Sequence, residues 1–309
     1  MKTNLFFPGQ GSQFTQMGLD FYRNYKIYKN IIDQVSDLAG IDLLSVLKDA
    51  SKLNETENAQ IAIFTMSYGI TRLLEEEGIP MDSALGMSLG EYGALTLAEV
   101  LSYEDTLKLL RKRSELMQKA SRETEGFLAA VSFMENNAVK EALEGLEKVW
   151  ISNINADNQT VVGGELQKKE EFEKRIKEKG GKKITYLQVS GAFHTPLMKS
   201  AGIAFKTYLD EFELKQAIIP VLSNFKGDFY EKEDDVKEIL SKHIYSTVLL
   251  SRCIEKLETQ DQDMNIVLGP GKAMASILKQ NKAKGQTIII NSVEDYITAV
   301  QMLKERLNG

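Results

Sequence analysis

The sequence predicts an α/β protein carrying a smaller α+β insert. Three observations lead there. Short apolar runs that read as strands alternate with helix-period segments at both ends of the chain. Two of these runs end in glycine-rich loops, Pro8-Gly9-Gln10-Gly11-Ser12-Gln13 and Gly86-Met87-Ser88-Leu89-Gly90. Between residues 123 and 197 the texture changes to strand, helix, strand, strand, helix, strand, the order of a ferredoxin-like unit.

In chain order, Leu5-Phe6-Phe7 is a buried strand that Pro8-Gly9 stops. Helical periodicity follows over 17–38, 43–47 and 58–74. Ala84-Leu85 closes a short apolar segment that turns through Gly86 to Gly90 into another helix. Ser102-Tyr103-Glu104-Asp105 has the form of a capping box and opens a helix to about Ala120. The insert holds strands at 127–133, 149–154, around Val161-Val162 and at 184–189, with helices over 137–146 and 166–179. Strands at 218–222, 266–268 and 288–290 and a last helix over 293–307 complete the chain. This alternation favours a mostly parallel sheet covered on both faces, so the large domain is 1–122 with 198–309 and the small one 123–197.

The 309 residues are 43% hydrophobic and 27% charged, which excludes a disordered or membrane-embedded chain. With 38 Lys and Arg against 44 Asp and Glu, the net charge of −6 argues against nucleic acid as a partner. One cysteine, Cys253, allows no internal disulfide. The apolar run before Pro8 is too short for a signal peptide, and no run reaches transmembrane length, so a cytoplasmic setting is expected. Only two histidines are present, His194 and His243. A Cys/His metal site is therefore not expected, and any imidazole base is one of these two.

Gly86-Met87-Ser88-Leu89-Gly90 fits the nucleophile-elbow pattern, in which a serine sits on a strained strand-to-helix turn. The bland alternative is a helix cap. His194 closes Val189-Ser190-Gly191-Ala192-Phe193-His194, where a strand end can present a base. His243, among Ser241 and Lys242 on a charged helical stretch, reads as a solvated surface residue. Arg113 lies on the apolar stripe of Leu107, Leu110 and Met117 and must meet an anion there, either a substrate carboxylate or an internal partner such as Glu91. The loop around Gln10 can donate main-chain N–H groups to an oxyanion together with Leu89, and it lacks the lysine and spacing of a Walker loop. Gly269-Pro270-Gly271-Lys272 reads as a structural turn. The basic run from Lys174 to Lys183 is either a docking patch for an acidic partner or a solvated face.

Taken together and in order, Phe7 to Gln13, Gly86 to Glu91, Arg113 with Leu116-Met117-Gln118, Gly191 to His194 and Gly269 to Lys272 resemble the malonyl-CoA:acyl carrier protein transacylases. The related acyltransferase domains of polyketide synthases share the pattern. The resemblance spans essentially the whole chain and implies an α/β-hydrolase-like large domain with a ferredoxin-like small one. It implies ping-pong malonyl transfer from coenzyme A to the thiol of acyl carrier protein, with Ser88 as nucleophile and His194 as base. It further implies an oxyanion hole from the N–H groups of Gln10 and Leu89, with Arg113 on the malonyl carboxylate. The imidazole would be oriented by a main-chain carbonyl, and neither metal nor cofactor would be needed. Phe193 beside His194 would disfavour an α-methyl branch.

The chain departs from the family at four places. Met87 stands where histidine commonly precedes the nucleophile, and Leu249 where glutamine is common near the active histidine. Gln60 is kept without the proline that often follows it, and Val267 replaces an acidic residue. The competing readings are an acyl-serine hydrolase acting on carrier proteins, a polyketide acyltransferase of different acyl selectivity, and a non-catalytic assembly subunit.

Overall fold

A computed structural model describes residues 1–260 and 262–308. Strand β1 (Thr3–Phe7) is buried throughout. The helical run expected over 17–38 is two helices, α1 (Leu19–Asn24) and α2 (Lys26–Ala39). Tyr25 between them is extended, at φ −126° and ψ 118°. Asn24 turns its amide back onto the Asp20 carbonyl at 2.8 Å, ending the first helix. Tyr25 then packs edge-on against Tyr296, 5.3 Å between centroids. Helices α3 (Leu43–Lys48) and α4 (Ala50–Leu53) are capped by the carboxylates of Asp42 and Asp49. The long α5 (Thr56–Glu76) is buried along most of its length.

Strand β2 (Ser83–Gly86) leads through Met87-Ser88-Leu89 into α6 (Gly90–Leu97). Helix α7 (Tyr103–Glu123) begins with the expected cap, Ser102 Oγ accepting the Asp105 N–H at 3.0 Å. The next elements are β3 (Gly126–Ser132), α8 (Asn136–Leu143), β4 (Val149–Ala156), β5 (Gln159–Glu165), α9 (Lys169–Glu178) and β6 (Lys183–Tyr186). Their antiparallel sheet has the order β4-β5-β3-β6, the ferredoxin-like arrangement that the sequence order implies. Phe127, Val131, Val139, Val149, Val162, Phe172 and Ile176 form its core. The basic run on α9 is a solvated face laced by ion pairs, Arg175 with Glu171 and Lys177 with Glu173.

The chain continues through α10 (Lys199–Leu209), β7 (Val221–Ser223), β8 (Asp228–Phe229), α11 (Val236–His243), α12 (Leu250–Leu257), β9 (Met264–Leu268), α13 (Ala273–Gln280), β10 (Gln286–Ile290) and α14 (Val293–Asn308). Strand β7 starts later than the expected 218, because Pro220 lacks the N–H that a ladder needs. Strands β10-β9-β1-β2-β7 lie side by side in that order and are all parallel.

Packing divides the described chain into two compact units. The first holds residues 1–111, 213–222 and those from Leu257 on, and so the parallel sheet. The second holds 112–212 and 223–256. Within it the ferredoxin-like element is joined by the C-terminal half of α7 and by α10 and α11. Among the described residues no helix is long and apolar enough to cross a membrane.

Candidate active site

The first unit carries the serine. Ser88 sits at φ +54°, a left-handed conformation that a side chain adopts only under constraint. The glycines around it are steric necessities. A Cβ on Gly86 would meet the Gly90 carbonyl carbon at 1.9 Å, and one on Gly90 would meet the Phe7 carbonyl oxygen at 2.2 Å. The elbow is thus pressed against the end of β1, and the Met87 N–H donates to the Phe7 carbonyl at 3.0 Å. The N–H groups of Gly90, Glu91 and Tyr92 turn back to the carbonyls of Met87, Ser88 and Leu89. The Leu89 N–H stands just before the first of these, at the positive end of α6.

The Gln10 loop lies beside this elbow, for a Cβ on Gly9 would come within 2.9 Å of the Met87 carbonyl oxygen. Gln10 is held by its side chain, donating to Thr56 Oγ1 at 3.3 Å and accepting from Gln60 Nε2 at 3.4 Å. Gln60, buried on α5, therefore braces the loop. The Gly269-Pro270-Gly271 turn supports it from another side. A Cβ on Gly271 would meet the Ser12 carbonyl oxygen at 2.8 Å, and the Gly271 N–H is tied to Asn291 Oδ1.

The second unit carries the histidine and the arginine. His194, like Ser88, is a non-glycine residue at positive φ, +58°. Its Nδ1 lies 2.7 Å from the His243 carbonyl oxygen, and its N–H donates to the Ile244 carbonyl at 3.2 Å. A carbonyl only accepts, so Nδ1 carries the hydrogen and Nε2 presents a lone pair. That is the tautomer a general base requires. Phe193 is buried, with its carbonyl accepting from Ser152 Oγ at 2.9 Å. Leu249, half-buried, donates its N–H to Asn224.

His243 corrects the sequence reading: it is 1% exposed, not a solvated surface residue. Its spacing from Ile239 and Leu240 on α11, four and three residues, puts it on the buried stripe, a signal masked by Ser241 and Lys242. Its ring stacks on that of His194 with centroids 5.0 Å apart. Arg113 is also 1% exposed, and its charge reaches both imidazoles.

Burial, reinforced by Arg113, lowers His194 from 6.5 to about 3, with the His243 carbonyl opposing. Burial, then the charges of His194 and Arg113, push His243 well below its ordinary value. Both rings are neutral at pH 7. As pH falls through 6.5 the unfolded chain protonates these groups and the folded chain does not, so unfolding gains protons. The stability tied to His194 is whole above 6.5 and lost toward about 3. Urea melts should show the midpoint already falling between pH 6.5 and about 5, above the ordinary carboxylate range, and falling less in His194→Asn. A level midpoint over that window would refute the buried neutral state.

Among the described residues no group of His, Cys, Asp and Glu could hold a metal ion. What the two units offer is a strained serine at a helix N-terminus, a neutral imidazole of fixed tautomer, and a buried guanidinium. A serine so placed is a residue type suited to carrying acyl groups as an ester, and a buried guanidinium is suited to an anionic group.

The chain belongs to the acyl transferase domain family, whose model matches residues 5–290. It is 36% identical over 310 residues to the malonyl CoA-acyl carrier protein transacylase of Bacillus subtilis strain 168, with 98% of each chain covered. Against the protein of that name from Staphylococcus aureus strain MRSA252 it is 33% identical over 300 residues, covering 95% of this chain and 97% of the other. The structure of the malonyl CoA-acyl carrier protein transacylase from Clostridium perfringens superposes with a TM-score of 0.94 at 30% identity, over 99% and 98% of the two chains. A malonyl-transacylase solved in complex with its type II PKS acyl-carrier protein gives a TM-score of 0.93 at 26% identity, over 98% and 100%.

Proposed function

We propose that this protein transfers a malonyl group from coenzyme A to the phosphopantetheine thiol of acyl carrier protein, through a malonyl ester on Ser88. Two observations carry the roles, each within its own unit: Ser88 on its strained elbow and His194 in the base tautomer. Full-length similarity to malonyl CoA-acyl carrier protein transacylases supports the substrates. The reaction is an enzyme's, and its natural setting is the cytoplasm.

In the first half, His194 Nε2 takes the Ser88 proton while Oγ attacks the thioester carbonyl. The oxyanion accepts from the Leu89 and Gln10 N–H groups. The C–S bond then breaks and the proton passes to the sulfur of coenzyme A. In the second half the carrier thiol gives its proton to His194 and attacks the ester, and the proton returns to Ser88. Thioester, ester and thioester are close in energy, so no metal or cofactor enters the scheme. Arg113 binds the malonyl carboxylate through its planar fork. Phe193 limits the acyl α-carbon, Met87 flanks the nucleophile on the substrate side, and Gln60 serves substrate binding through the loop it braces.

Intact-protein mass spectrometry after brief exposure to malonyl-CoA, followed by a chase with holo acyl carrier protein, tests this directly. A malonyl adduct that moves to the carrier thiol is the expected result. An adduct lost to water instead establishes the hydrolase, and no adduct from malonyl-CoA overturns the substrate. The likeness to a malonyl-transacylase bound to a type II PKS acyl-carrier protein favours one further arm, a polyketide carrier as acceptor.

A further inference from the structure

The imidazole of His243 is buried, titratable and unused in the reaction written above. Residues 243 and 244 hold His194 through two main-chain carbonyls, which any residue at 243 would supply. The ring contact is different. It depends on the side chain, which lies nearly flat on the His194 ring, 5.0 Å between centroids and 28° between planes. We propose that His243 is a positioning residue whose ring fixes the His194 imidazole and, through its π face, stabilises the positive charge His194 gains on taking the Ser88 proton. This rests on the reading of His194 as the base for Ser88.

The physical case is one of timing. Before reaction both rings are neutral and their contact is ordinary stacking. When Nε2 accepts the serine proton, His194 becomes an imidazolium within the range at which an aromatic face attracts a cation. The attraction appears with the charge, so it favours the transition state over the ground state. It is strengthened by burial, since both rings are closed to water. His243 must itself stay neutral for this to work, because a second cation would repel the first. Burial and the facing charges of Arg113 on α7 and of His194 hold it so.

Three variants of the full chain separate the ring face from the backbone, since all keep the carbonyl at 243. His243→Phe keeps an aromatic face without nitrogen, His243→Leu keeps bulk without a face, and His243→Gln keeps polarity without one. Single-turnover acylation by malonyl-CoA, followed by rapid quench and mass spectrometry, should slow about tenfold in the Leu and Gln variants. The malonyl-CoA concentration giving half-maximal rate should stay unchanged, and the Phe variant should acylate within about threefold of the unaltered chain. Leu or Gln variants that acylate at full speed overturn the proposal, as does a Phe variant as slow as they are. If the unaltered chain forms no acyl adduct at all, the reading of Ser88 and His194 fails, and this inference with it.

Discussion

Ser88→Ala is expected to remove the malonyl adduct altogether and to lower transfer to the carrier by at least about 10⁴-fold. Acyl transfer through an ester has no second route when the oxygen is gone, and the remaining donors bind the thioester without breaking it. A companion variant tests the elbow itself. Ser88 is held at φ +54°, where a side chain costs of order 1 kcal/mol and glycine costs little. Ser88→Gly should therefore be as inactive as Ser88→Ala and about 1 kcal/mol more stable to denaturant. That combination, stability gained as activity is lost, identifies strain kept for function. An alanine variant that still carried malonyl would place the nucleophile elsewhere, and a glycine variant less stable than alanine would remove the strain argument.

The serine's surroundings were legible because the glycine pattern records a steric demand. Gly86 and Gly90 leave room for backbone to touch backbone, and only a strand followed at once by a helix creates that demand at this spacing. The ferredoxin-like element was legible for a related reason: each of its strands and helices is closed by a nearby turn, so the order of elements limits the sheet order. The parallel sheet was legible as a class, from strands alternating with helices, but its strand order was not. Its central pairing joins Thr3 to Met264, and nothing in either short apolar run names the other. The break at Tyr25 likewise depends on Tyr296, far along the chain. His243 was misread because polar neighbours on the helix outweighed a buried stripe that only tertiary packing makes decisive. The reach of the Gln60 amide to Gln10 is equally a tertiary fact.

Arg113→Ala is expected to lower kcat/KM for malonyl transfer by about 10²- to 10³-fold and to leave acetyl transfer unchanged or raised. The guanidinium is 1% exposed, so turning its fork toward an acyl chain without a carboxylate costs desolvation that nothing on that chain repays. Malonyl brings a carboxylate and gains two parallel, charge-assisted hydrogen bonds from the planar fork. Truncation removes both effects at once: malonyl loses its partner, and acetyl loses its penalty. The base survives the change. Burial is the leading cause of the lowered His194 basicity and Arg113 the second, so the variant's imidazole becomes more basic yet remains below 6.5. Loss of the reaction through the base is therefore excluded by the same substitution, and acetyl transfer serves as the internal control. Arg113→Lys should fall between the two, since it keeps the charge and loses the fork. Measuring malonyl and acetyl transfer side by side, with melting temperature as a check on folding, decides the matter: equal losses for the two acyl groups would strip Arg113 of its part in selectivity.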